Sequence, residues 1–187
     1  MSLAMRKVKS LVENPRPLFW ALFAIFLLAF AVSIFFIPKR YGRLIVGDGI
    51  YYYVYLRSLV LDHDLDFTND YTLYQEFNNE DPFKKAEMLE LHKTPLGLPA
   101  NWFSVGPAFL WSPVFVPTRA FITLANAFGA RLANDGFSYL EQAPLLFASI
   151  AYGFLGLLLL HRVCLEFFSR LASLLAVLGI WLATNVV

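Results

Sequence analysis

Hydrophobic and polar positions along this 187-residue chain fall into long blocks and seldom alternate. Residues 17–37 read PLFWALFAIFLLAFAVSIFFI, about 21 positions without a charge and with Ser33 as the only clearly polar side chain. At a rise of about 1.5 Å per residue, such a helix is about 31 Å long and matches the hydrocarbon core of a bilayer. A secretory signal peptide is the rival reading, because Arg6, Lys7 and Lys9 resemble a charged leader. The apolar run is too long for that, and no small-x-small cleavage site follows it. Residues 143–160 and 171–187 form two further apolar runs, separated by HRVCLEFFSR at 161–170. The stretch Asn101–Ala130 is apolar as well, but Pro107, Pro113 and Pro117 interrupt it and Arg119 lies inside it. In lipid, these would leave backbone groups and a charge unsatisfied, so a helix lying at the interface or dipping into it is expected.

The pattern therefore predicts an all-α integral membrane protein, a transmembrane helical bundle with a long outer loop that carries juxtamembrane helices. Its parts are a tail at 1–16, a first span at 17–37 and an outer loop at 38–142, with short helices near 50–61 and 104–128. A second span at 143–160, a cytoplasmic loop at 161–170 and a third span at 171–187 follow. The last apolar run reaches Val187 with no polar flank, which leads us to expect the N-terminal part of a longer protein.

Composition agrees with this reading. Hydrophobic residues make up 58% of the chain and charged ones 16%, and mean hydropathy is +0.57, too apolar for an ordinary soluble domain. The single cysteine, Cys164, forms no internal disulfide and cannot by itself build a thiolate metal site. No basic cluster is interleaved with aromatics, so nucleic acid is not an expected partner. Arg6, Lys7, Lys9 and Arg16 against Glu13 alone make the N-terminal flank basic, which places it in the cytoplasm and the following loop outside. His161, Arg162 and Arg170 then fall on the cytoplasmic side if Asn101–Ala130 does not span. Lys39, Arg40 and Arg43, next to the membrane on the outer side, oppose this orientation unless they answer to lipid phosphates or a phosphorylated ligand.

Chemistry concentrates just after the first span, in Gly47-Asp48-Gly49-Ile50-Tyr51-Tyr52-Tyr53. Flanking glycines let the backbone turn tightly and a ligand approach Asp48 closely. Asp48 reads either as the N-cap of the following helix or as a carboxylate available for proton transfer. Tyr51, Tyr52 and Tyr53 suit stacking on sugar faces or a membrane-surface aromatic belt. Arg57 reads as an anion partner or as a snorkelling interfacial arginine. Asp62-His63-Asp64-Leu65-Asp66, followed by Asn69 and Asp70, resembles the opening of a calcium loop. Phe67 stands where its glycine is needed, however, and Leu73 where its glutamate is needed, so a solvated turn is expected and no metal is assigned.

With its basic tail, single span, GDGIYYY opening of the outer loop and later NWFSVGPAFLWSPVF segment, the chain resembles the start of the polytopic GT-C-class glycosyltransferases. The likeness is to the family 39 and protein-mannosyltransferase-like members of that class. The resemblance implies about a dozen helices in the whole protein and a place in the inner, or plasma, membrane. It implies a polyprenyl-phosphate-linked sugar as donor, a glycan, lipid or protein as acceptor, and no cofactor. It makes Asp48 the essential acidic residue that takes the acceptor's proton, while a basic group stabilises the departing lipid phosphate. Arg57 is the first choice for that group, with Lys93, Arg40 and Arg43 also on the outer side, and Tyr51 and Tyr52 would contact the sugar. Lys93 in HKTPLG stands one residue too far from Pro95 for the lysine-proline pair common in some relatives. A non-catalytic transporter or polysaccharide-export component is the alternative, and it would be favoured by a charge lining a path through the spans.

Overall fold

The computed structural model describes residues 3–36, 43–78 and 87–183. Seven α-helices account for most of them: α1 (Leu3–Glu13), α2 (Arg16–Phe36), α3 (Gly49–Arg57), α4 (Thr68–Asn78), α5 (Gly106–Ala127), α6 (Tyr139–Phe167) and α7 (Arg170–Ala183). Two short π-helical turns, Ser58–Asp62 and Glu87–Leu91, complete the helical structure. Among the described residues no strand forms, and one isolated bridge joins Lys93 to Pro99. The protein is an all-α membrane protein, and α2, α5 and α6 are each long and apolar enough to cross a bilayer.

By contacts the chain divides into two compact units, Met1–Ile37 with Phe147–Val187, and Pro38–Leu146. The first holds α1, α2, most of α6, and α7. Its core is built from Phe19, Phe154, Leu157, Leu174, Val177 and Trp181. Phe23 stacks on Phe154 at 4.3 Å and Phe26 on Trp181 at 5.6 Å. Elsewhere on α2, Leu28, Phe35 and Phe36 are 67%, 73% and 79% exposed, a surface that water would not tolerate and lipid covers. The tail expected at 1–16 is an ordered helix up to Glu13. Pro15 then breaks the chain, because it lacks the N–H that would continue the ladder.

The bounds of α6 differ from expectation. α6 begins at Tyr139 and continues to Phe167, through most of the loop expected at 161–170, since His161, Arg162 and Glu166 are compatible with helix and nothing before Phe168 interrupts the backbone. α7 is described over Arg170–Ala183, 14 residues, and the rest of the third apolar run lies outside the described residues. α5 runs without a break through Pro113 and Pro117. An interior proline frees the carbonyl four residues earlier. For Pro113 that is the Phe109 carbonyl, and the Ser112 hydroxyl donates to it at 2.9 Å. A serine thus satisfies the carbonyl freed by Pro113, one of the groups that had argued against a span. Pro107 falls in the first turn, where a missing N–H costs nothing.

The second unit packs α3, α4, α5 and the first two turns of α6 around a core that includes Ile50, Tyr53, Val54, Phe67, Tyr71, Phe115, Phe137 and Leu145. α3 lies against α5 and α4. The first turn of α6 is a capping box. Ser138 Oγ accepts from the Glu141 N–H at 3.3 Å, and a Glu141 carboxylate oxygen accepts from the Ser138 N–H at 3.1 Å. The buried Glu141 carboxylate also accepts from Arg119 of α5 and from the Gly136 N–H. The Arg119 charge that counted against a span is therefore neutralised within the unit.

Candidate functional site around Asp48

The segment entering α3 is pinned to the start of α6. Gln142 Oε1 accepts from the Leu44 and Ile45 backbone N–H groups at 2.9 and 3.1 Å. Arg43 donates to the Phe137 carbonyl at 2.7 Å and lies 3.9 Å from the Asp135 carboxylate, so it anchors the same corner. Gly47, at φ +59°, supplies the left-handed turn that brings the chain into α3. Asp48 follows as the N-cap residue.

The Asp48 side chain makes no capping hydrogen bond and is exposed. Its backbone is already helical, at φ −63° and ψ −24°, which is not the extended geometry from which a cap oxygen reaches back to the first N–H groups. Of the two readings of Asp48, the cap is the one this geometry leaves unfilled. The carboxylate faces solvent at the edge of an aromatic surface. Tyr51 stacks on Phe103 at 4.5 Å with ring planes 5° apart, and Tyr52 meets the same ring edge-on at 5.2 Å. Burial pushes the Tyr51 phenol above its ordinary value, and the Glu87 and Asp48 carboxylates push it further. Glu87 is thereby a second acidic group close to this surface.

The two segments that carried the family resemblance meet here. Asn101 Nδ2 donates to the Tyr51 carbonyl at 2.7 Å, and the Tyr55 hydroxyl is within 2.9 Å of the Asn101 carbonyl and 3.1 Å of the Phe103 carbonyl. The loop before Asn101 is folded on itself by bonds from Thr94 N–H to the Leu98 carbonyl and from Ala100 N–H to the His92 carbonyl. It leaves Lys93 exposed.

Arg57 does not join this surface. Its side chain is 5% exposed and is held from several sides. It donates to Asp70 at 2.7 Å, to Asp62 at 2.8 Å and to the Asp135 carbonyl at 2.8 Å, and its guanidinium lies 5.2 Å from the centre of the Phe137 ring. A guanidinium so enclosed is an internal clamp, neither a free phosphate ligand nor a snorkelling arginine. The expectation for Arg57 is corrected accordingly. Of the carboxylates that capture it, Asp62 ends the helical turn that continues α3 and Asp70 comes from α4, where sequence spacing gives no warning of its approach. Lys39 and Arg40 lie outside the described residues, and Arg43 is the corner anchor.

The aspartate cluster is structural too. Asp62 binds Arg57 and Asn69, Asp64 accepts from Ser58 and the Asp66 N–H, and Asp66 caps α4 through the Thr68 N–H at 3.0 Å. His63, at φ +61°, turns the chain between them. Sequence reasoning missed Glu87, Gly136 and Glu141; it held Asp70 only as part of the aspartate cluster, and Asn101 and Phe103 only as part of the segment that carried the resemblance. Only Glu141 had a legible signal, the Ser138-x-x-Glu141 box. No family model, curated protein or solved structure matches the chain.

Proposed function

We propose that the protein is a membrane glycosyltransferase that moves a sugar from a polyprenyl-phosphate donor to an acceptor on the outer face of the membrane. One observation carries this reading: Asp48 is exposed and uncapped beside the Tyr51–Phe103 stack, where the two segments that resemble the GT-C class come together. Sugar rings present C–H faces that dock on flat aromatic surfaces, and a carboxylate at the edge of such a surface is positioned to accept a hydroxyl proton as the acceptor attacks. In this reading Asp48 is the general base, Tyr51 and Tyr52 bind the sugar, and Lys93 replaces Arg57 as the group that stabilises the departing phosphate. The bond broken joins the anomeric carbon to the phosphate oxygen, the bond formed joins that carbon to the acceptor oxygen, and configuration inverts. The N-terminus is cytoplasmic and the membrane is the inner, or plasma, membrane. The transporter alternative calls for an ionisable group lining a path. Arg119 of α5 and Glu141 of α6 are bound to each other, and Glu141 also to the Ser138 cap. The test is transfer from a polyprenyl-phosphate sugar by the full-length protein, and normal turnover by Asp48→Asn would end the assignment.

A further inference from the structure

In the unit built from α1, α2, α6 and α7, a cleft of about 650 Å³ opens where the apolar helices end. Three arginines from three separate segments converge on it: Arg16 at the start of α2, Arg162 within α6, and Arg170 at the start of α7. All three are exposed, and none makes an ion pair among the described residues. Glu13 is the one acidic side chain lining the cleft, and it is paired with Lys9 at 3.9 Å. The amino ends of α2 and α7 line this space together with the last turns of α1 and α6, so the helix dipoles offset one another and the positive potential comes from the three arginines. Between the charged side chains the walls carry apolar residues, among them Val12, Phe19, Leu158 and Leu165. Trp20 lines one side, and the buried His161 ring packs edge-on against Phe19 at 5.1 Å.

Charge counting at a membrane boundary requires only that arginines lie on one side. It does not require three of them to line one cleft, where an anion is the complementary ligand. We propose that this cleft binds a phosphate group, with the headgroup of an anionic phospholipid and a free phosphate as its two possible sources. Guanidinium groups match phosphate oxygens in forked pairs, and the apolar wall residues accept the start of an acyl chain when the phosphate belongs to a lipid. The site is independent of the Asp48 surface and of the transfer reaction.

The test uses the full-length protein, purified in detergent and stripped of lipid, with native mass spectrometry reading bound copies. It is titrated with phosphatidylglycerol, with phosphatidylcholine and with inorganic phosphate. Each surface arginine contributes about fivefold to the affinity for an anionic lipid, so three contribute about a hundredfold. Phosphatidylglycerol should bind at least tenfold more tightly than phosphatidylcholine. The triple variant Arg16→Gln/Arg162→Gln/Arg170→Gln should lose that preference, while Arg131→Gln, outside the cleft, keeps it. Competition by millimolar phosphate, or arginine-dependent binding of phosphate without a lipid preference, assigns the site to the soluble source and sustains the proposal. A triple variant that binds both probes as well as the parent, or a parent that binds neither selectively, overturns it. If the triple variant does not purify as a folded, monodisperse species, Arg162→Gln/Arg170→Gln serves in its place.

Discussion

The Arg57 guanidinium and the Asp70 carboxylate lie 2.7 Å apart, in a side-chain environment 5% and 0% exposed. Burial raises the Asp70 carboxyl to about 6, and the Arg57 hydrogen bond and charge offset only part of that rise. One Asp70 oxygen accepts from Arg57, and the other has no hydrogen-bond partner among the described residues.

A pH dependence of stability follows, with a definite sign. In the folded chain Asp70 holds its proton to a higher pH than it does when unfolded, so between pH 4 and 6 the folded state binds the extra proton. The contribution of this group is fully present below about pH 4 and is lost as the pH rises through about 6. Thermal melts of the wild type and Asp70→Asn should differ by an amount that falls across this window and is flat above it. A difference that grows with pH would mean the carboxyl is not raised. Arg57→Gln should destabilise at every pH above 6 by about 3–5 kcal/mol, because it leaves buried carboxylates uncompensated.

Gly136 is tied to the same arginine. Its φ is +87°, and a Cβ added there would lie 2.7 Å from Arg57 Nε. Gly97, at φ +81°, has nothing within 4 Å of such a Cβ. Gly97→Ala should therefore cost about 1 kcal/mol of backbone strain, and Gly136→Ala a further 1–3 kcal/mol, about, from overpacking. Denaturant or thermal unfolding of the two variants side by side checks the order, and equal costs would show that Arg57 moves aside freely.

For the proposed chemistry, Asp48→Asn should lower transfer by about 10²–10⁴ while the melting temperature stays unchanged, since the carboxylate makes no capping bond to lose. Asp64→Asn is the neighbouring control. Its carboxylate accepts from Ser58 Oγ at 2.8 Å and from the Asp66 N–H at 3.1 Å, so the variant should melt lower by about 1 kcal/mol and keep its turnover. Equal loss of transfer in both would move the active carboxylate to the aspartate cluster.

Topology is checked at Cys164, the single cysteine, which is half-buried near the end of α6. With a cytoplasmic N-terminus and α5 not spanning, a membrane-impermeant thiol reagent applied to intact cells should leave Cys164 unlabelled until the cells are opened. Labelling from outside would mean that α5 crosses the membrane and that the residues after it change sides.

What the sequence determined by itself was the membrane character and the helical class. An uncharged run of bilayer length admits one structure, because a lipid-exposed backbone has to satisfy its own hydrogen bonds. It also located the helix after Asp48, expected near 50–61 and found as Gly49–Arg57 continued by the turn Ser58–Asp62. The helix expected near 104–128 is found over Gly106–Ala127. Tertiary structure alone decided what each charged side chain does. Arg57 and Asp48 are nine positions apart in one short segment, yet one is enclosed by carboxylates and the other stands in solvent. The difference comes from Asp70, Asp135 and Phe137, residues 13, 78 and 80 positions beyond Arg57, that reach it only after the chain has packed. Whether α5 keeps its Arg119 likewise rested on a distant partner, the Glu141 carboxylate, whereas Pro113 is answered locally by the Ser112 hydroxyl next to it. The cost of a buried charge or an unpaired carbonyl is local, but the group that offsets it can come from anywhere in the fold.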